Sequence, residues 1–288
     1  MTLEQLSSSA NVLNIARLPN EYPRKFVPKN LEFTWTNFEK LFSLLQKRKV
    51  TTKDELVAWL EDYFELYSVI NEERTIREVR TTQDTANREF ERAFLEFVQN
   101  LDPKIKKAFF ELDKEYVALL PQRRELVTTR ESKYFPLDRR KENVIAIFRE
   151  KNLELESKDD ELSQGYQKIV GAILIQFKGE DMTIFQMMKL LEEPDRSLRQ
   201  EAYSALNVRV RKDGAALDNL YDQFVNVRHE IAKNAGFENY RDYIFKKKER
   251  FDYSIDDNLK LVNAIEKYFV PLSRKLDKRR MEEMKVDV

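Results

Sequence analysis

Peptide, ester or phosphate chemistry at neutral pH needs a nucleophile with its base, a metal, or a tuned acid–base pair. A 288-residue chain with one histidine and no cysteine leaves few of these available. Cys–His pairs and cysteine-based zinc sites are excluded. A Ser-His-Asp triad would have to use His229, and no Gly-x-Ser-x-Gly elbow accompanies it. No P-loop and no Gly-x-Gly-x-x-Gly stretch is present, so a phosphate cradle is not expected.

His229-Glu230-Ile231-Ala232-Lys233 comes within one residue of H-E-x-x-H. That motif works because two imidazoles one helical turn apart face one metal while the glutamate activates water. Here Lys233 takes the second position, and its ammonium repels a cation. Helical spacing sets His229 and Lys233 beside the apolar stripe of Leu217, Leu220, Phe224 and Ile231, which reads as a solvated or boundary histidine. A metal site built from carboxylates alone stays open, but 51 acidic residues make any cluster uninformative.

Two arginines are more informative. The same spacing centres Arg209 on the stripe of Leu198, Ala202 and Ala205, and Arg228 on Leu217, Phe224 and Ile231. A cation there needs a partner or a wet cavity. Arg209 and Arg228 therefore read either as interhelical ion pairs, with Asp213 or Glu201 as candidate acids, or as guanidiniums lining a channel that holds a peptide carboxylate or carbonyl.

The elements that must position these groups are helices. Thr36 and Glu39 have capping-box spacing before Phe38, Leu41, Phe42 and Leu45, and Thr52 with Glu55 repeats it before Leu56, Leu60, Phe64, Tyr67 and Ile70. Phe90, Phe94, Phe97 and Leu101 form a third stripe, ended by Asp102-Pro103. That pair reads as N-cap and first residue of a helix carrying Ile105, Phe109, Leu112 and Tyr116. Residues 1–30, with Pro19, Pro23 and Pro28, read as an extended arm.

All five glycines fall at or after Gly165. Ile169–Phe177 is the one apolar, β-branched run of strand length, and Lys178-Gly179-Glu180 turns it back through Met182 to Ile184. Thr183 with Gln186 caps the next helix. Helices are then expected over 197–212, 214–234, 239–248 and 256–280, with Ser254 and Asp257 capping the last and Pro271 kinking or breaking it. The expected class is all-α, predominantly helical, with one short β-hairpin near residues 169–184.

Charge and composition narrow the partners. Lys plus Arg and Asp plus Glu are 51 each, so no net field favours nucleic acid or an anionic membrane. The aromatic and basic residues of 237–253 are interrupted by Asp242, Glu249 and Asp252 and read as packed rings with snorkelling lysines. No run reaches the roughly 18 apolar residues of a spanning helix. The absence of cysteine and of a secretory pattern at the N-terminus makes the cytoplasm the expected compartment.

Several segments in order resemble the oligoendopeptidase F family of zinc metallopeptidases, relatives of thimet oligopeptidase. They include Phe33-Thr34-Trp35, Trp59-Leu60, Phe148-Arg149-Glu150, Tyr166-Gln167-Lys168-Ile169 and Gly171-Ala172. The most specific is Ile231-Ala232 with Asn234-Ala235-Gly236-Phe237 and Asn239-Tyr240-Arg241-Asp242-Tyr243, followed by Arg250-Phe251-Asp252-Tyr253 and Val270-Pro271-Leu272.

The resemblance implies a helical lid with its extended arm over 1–185 and the opening helices of a catalytic domain over 186–288, ending before the zinc motif. It implies a deep channel admitting short unfolded peptides, and zinc held by H-E-x-x-H and a later glutamate in the intact enzyme. No catalytic or metal residue is carried over to this chain, and no zinc is expected on it alone. Its expected function is the N-terminal portion of an enzyme hydrolysing internal bonds of short peptides, inactive by itself, with the missing catalytic half as a partner. The alternative is a free-standing helical protein, derived from such an enzyme, that binds peptides or a partner.

Overall fold

The computed structural model describes residues 24–285. Most of the arm expected over residues 1–30 lies outside them. Its last residues, Lys25, Phe26 and Val27, donate three backbone N–H groups to the Glu65 carboxylate at 2.8–3.0 Å, and Val27 is buried.

Helix α1 (Trp35–Gln46) starts one residue earlier than its expected capping box. Thr34, in extended conformation, is the N-cap and makes no side-chain cap bond, so Thr36 already lies inside the helix. Helix α2 (Lys53–Gln83) has the full box: the Thr52 side chain accepts from Glu55 N–H, and the Glu55 carboxylate accepts from Thr52 N–H.

Helix α3 (Arg88–Glu96) does not stop at Asp102-Pro103. It passes through a wide turn, Phe97–Leu101, into α4 (Asp102–Ala118), and Asp102 N–H donates to Phe97 O, five residues back. Asp102 is thus a buried helical residue and not an N-cap. A proline lacks the N–H and crowds the carbonyl four residues before it, and a π turn relieves both demands without ending the helix.

The same device recurs at the other end of the chain. Helix α12 (Ile255–Ala264) continues through Ile265–Phe269 into α13 (Val270–Met284), with Val270 N–H donating to Ile265 O just before Pro271. Pro271 therefore interrupts the regular ladder without breaking the helix.

Between these lie α5 (Leu120–Leu126), α6 (Phe135–Ile147), α7 (Leu153–Gly171), α8 (Ile184–Leu190), α9 (Arg196–Lys212), α10 (Gly214–Asn234) and α11 (Tyr240–Lys247). The hairpin pairs β1 (Leu174–Phe177) antiparallel with β2 (Glu180–Thr183), Leu174 opposite Thr183 and Phe177 opposite Glu180. Ile169 and Val170, expected in the strand, instead finish α7, where an i,i+4 ladder already under way carries β-branched residues to Gly171.

Three apolar clusters hold the helices together. The largest runs from Val27 to Leu126 around Phe38, Leu45, Leu56, Trp59 and Leu112. The second joins the hairpin to α8 and α9 through Ile173, Ile175, Met187 and Ala202. In the third, Ile231, Ala232, Ala235 and Tyr243 pack against Ile147 and Leu155, fixing α10 and α11 against α6 and α7. No described helix is long and apolar enough to cross a membrane.

Candidate functional site

The turn after α10 sets the geometry of the most specific sequence segment. Gly236 has φ +88°. Its N–H donates to Lys233 O while Phe237 N–H donates to Ala232 O, which is the Schellman arrangement that closes a helix with a left-handed residue. Asn239 then caps α11 by accepting from Asp242 N–H at 3.0 Å. The result presses Tyr240 and Tyr243 toward α6 and α7.

These two tyrosines form one wall of an open cavity of about 540 Å³ bounded by α2, α4, α6, α7, the end of α10, and α11. Phe64 and Tyr67 of α2, Phe109 and Phe110 of α4, and Phe148 add aromatic surface. Phe110 and Phe148 stack with centroids 3.9 Å apart.

Six cationic and six acidic side chains share the lining, and five of the cations are paired with acids. Lys106 Nζ lies 2.8 Å from Asp102 Oδ2 and 3.0 Å from Glu156 Oε2, and Lys247 reaches the other Glu156 oxygen at 2.6 Å. Burial alone would raise the Glu156 pKa, but the two ammoniums outweigh it and hold the carboxyl down at about 2. Arg74 pairs with Asp160 at 3.0 Å and Arg140 with Glu249 at 2.7 Å. Arg149 donates to the carbonyl of Ala146 at 3.0 Å.

Lys141 is the most enclosed cation. Its Nζ lies 2.5 Å from Asp113 Oδ1 and 3.6 Å from the centroid of the Tyr63 ring, and the Tyr63 hydroxyl donates to Asp113 at 2.9 Å. Burial pushes the Lys141 ammonium down to about 8 against the pull of Asp113, and pushes the Asp113 carboxyl up.

Such a lining is mostly apolar and aromatic, with its charges in balance. It offers ring faces and paired charges to a neutral or zwitterionic chain, and no unpaired cluster of cations for phosphate.

The two arginines singled out from sequence are both ion-paired. Arg209 pairs with Asp213, one of its two candidate acids, and donates to Leu174 O at 3.1 Å, tying α9 to the hairpin. Arg228 Nε lies 2.6 Å from Asp159 Oδ1, an acid that helical spacing did not suggest because it belongs to α7. Its guanidinium also covers the Phe224 ring at 4.2 Å. Arg228 does not line the cavity, whereas Asp159 does. His229 and Lys233 are exposed, on the outside of α10.

Among the described residues no group of three His, Asp or Glu side chains converges as metal ligands. With its one imidazole exposed, the donor set present does not fit a zinc centre.

The fold is that of oligoendopeptidase F structures. PZ peptidase A, solved with an inhibitor, superposes with a TM-score of 0.79 at 28% identity over 91% of this chain and 46% of its own. An oligoendopeptidase F gives a TM-score of 0.78 at 24% identity over 87% of this chain and 43% of its own. Oligoendopeptidase F from Bacillus anthracis gives 0.75 at 20% identity, over 92% and 48%. The chain thus spans less than half the length of these relatives. No protein-family model matches it, and no curated protein does.

Proposed function

We propose that this chain is the peptide-admitting portion of a cytoplasmic zinc oligoendopeptidase, with a lid over 1–185 and the opening helices of a catalytic domain over 186–288. The intact enzyme would hydrolyse internal bonds of short unfolded peptides, with zinc held by residues outside this chain. The chain alone binds such peptides and does not cleave them. The observation that carries this reading is the aromatic, charge-balanced cavity of about 540 Å³ between α2, α4 and α11, in a fold shared with oligoendopeptidase F structures.

Fluorescence anisotropy of a labelled nine-residue unstructured peptide tests it. Tyr67 lines the cavity and is 38% exposed, so Tyr67→Ala removes a ring from the wall without opening the core. Binding by the parent chain with about tenfold loss in Tyr67→Ala is expected. Absence of binding, or equal binding by both, would overturn the site. Turnover of a quenched peptide by the zinc-supplemented chain would overturn its inactivity.

A further inference from the structure

The six acids of the cavity lining are all engaged. Asp160 holds Arg74, Glu249 holds Arg140 and Asp113 holds Lys141. Asp102 and Glu156 share Lys106, Glu156 also takes Lys247, and Asp159 holds Arg228 from outside the lining. Among the described residues this leaves one lining cation, Arg149, with no carboxylate partner.

Three carbonyls hold its guanidinium instead. Nη1 donates to Ala146 O at 3.0 Å and to Phe148 O at 2.6 Å, and Nη2 donates to Ala235 O at 3.4 Å. Ala146 lies in the last turn of α6 and Ala235 directly follows α10, so Arg149 sits where two helix C-termini meet. Carbonyls there attract a cation, which is a structural role of its own. That role leaves donors over. A guanidinium carries five N–H groups in a planar fork, and Nε–H and one N–H of Nη2 have no acceptor among the described residues. Arg149 also directly follows Phe148, whose ring stacks on Phe110, and all three residues line the cavity.

We infer that Arg149 is the anchor for the C-terminal carboxylate of a peptide that enters the cavity. A carboxylate has two oxygens to offer the two remaining N–H groups, and a guanidinium grips it more strongly beside aromatic walls than in open water. The N-terminal ammonium of the same peptide finds no counterpart, because every lining acid is already paired. The cavity therefore distinguishes the two ends of a peptide and holds the carboxylate end. A loop of a folded protein has no such end to offer, so the anchor selects short free peptides by chemistry as well as by width. The inference rests on the peptide-binding reading above and adds which end of the ligand is recognised, and by which residue.

The probe is the nine-residue peptide labelled at its N-terminus and made in two forms, free acid and C-terminal amide. Each is titrated into the full 288-residue chain by fluorescence anisotropy. The acid should bind about tenfold tighter than the amide, the scale of a hydrogen-bonded charge. Arg149→Gln should bring the acid down to the amide's affinity and leave the amide within about twofold of its parent value. Arg149→Lys keeps a charge but not the fork, so it should retain only part of the preference. A purely structural cap would change both peptides alike and leave their ratio where it stands in the parent.

Equal binding of acid and amide by the parent chain overturns the anchor and leaves the cavity as a peptide site without polarity. A preference that survives intact in Arg149→Gln also overturns it, and would give the carboxylate to another cation. Binding of neither form removes the peptide-binding reading, and the anchor with it. Should Arg149→Gln lose the parent's helical circular dichroism, Arg149→Lys carries the comparison, and an undiminished acid preference there overturns the anchor.

Discussion

Lys141 and Asp113 face each other at 2.5 Å inside the helical body, each side chain 5% exposed. They join α6 to α4, with the Tyr63 ring of α2 under the ammonium. Removing one charge from such a pair strands the other in a medium that cannot solvate it. Lys141→Met should therefore lose about 3–5 kcal/mol of stability in urea unfolding. Lys141→Met/Asp113→Leu should recover most of that, leaving about 1–2 kcal/mol for the unpaired Tyr63 hydroxyl. A double variant no better than the single would show that the pair is not the source of the loss.

Glu65 holds the N-terminal stretch by accepting from Lys25, Phe26 and Val27 at once. Hydrogen bonds to a charged acceptor are individually stronger than neutral ones. Glu65→Ala should cost about 2–3 kcal/mol, and amides 25–27 should exchange faster, while those of α7 stay protected. Unchanged exchange at 25–27 would mean that Val27, buried in the main core, anchors the stretch without the carboxylate.

Glu156 gives a pH signature. Its carboxyl titrates at about 2 in the fold against an ordinary 4.5, because Lys106 and Lys247 overcome its burial. Between those values the unfolded chain binds a proton that the native chain does not, so the contribution is complete above pH 4.5 and disappears as pH falls toward 2. Glu156→Gln should lower stability at pH 7 by on the order of 3 kcal/mol, with the difference nearly gone at pH 2. A constant difference between pH 7 and pH 2 would remove the ion pairs as its cause.

The hairpin turn permits a stabilising change. Lys178 and Gly179 have φ of +52° and +88°, the two left-handed residues that a type I′ turn requires. Lysine meets that demand poorly, and its pairing with Glu201 at 3.7 Å joins two side chains about 60% exposed, which contributes little. Lys178→Asn should raise stability by about 0.5–1 kcal/mol in urea unfolding. Destabilisation would show that the Glu201 contact outweighs the backbone.

What the sequence conveyed divides along physical lines. Capping boxes at Thr52, Thr183 and Ser254 are local, and all three form as spaced. Prolines misled because a boundary and a π turn look alike in one dimension: Asp102-Pro103 has the residues of a helix start but lies in mid-helix. Of the stripe read on α2, Leu56 and Leu60 are buried in the core, which Trp59 and Leu66 complete, whereas Phe64 and Tyr67 turn to the cavity and the buried Tyr63 and Ile70 border both. A large aromatic residue carries no mark of whether it faces core or cavity.

The ionic lining was illegible for a related reason. With 102 charged residues in 288, Lys141 and Glu156 look like any surface charge, and their partners lie 28 and 50 or more residues away. Asp102 and Lys106, four apart on one helix, were the single pair that spacing could have flagged.

Arg228 allows the two readings of a stripe-centred arginine to be separated. Its Nε and one terminal nitrogen contact the two oxygens of Asp159 at 2.6 and 3.4 Å, and its face lies over Phe224. Side-chain exposures of 35 and 26% place the pair between surface and core, so the coupling should be intermediate. In a double-mutant cycle, Arg228→Met and Asp159→Asn should each cost about 1–2 kcal/mol and couple by about 0.5–1.5 kcal/mol. Peptide affinity distinguishes them. Arg228 stands outside the cavity and Asp159 lines it, so Arg228→Met should leave affinity within about twofold while Asp159→Asn shifts it further. If Arg228→Met instead keeps full stability and loses peptide binding, the guanidinium reaches the ligand directly, and the ion pair with Asp159 is the resting state of a channel residue.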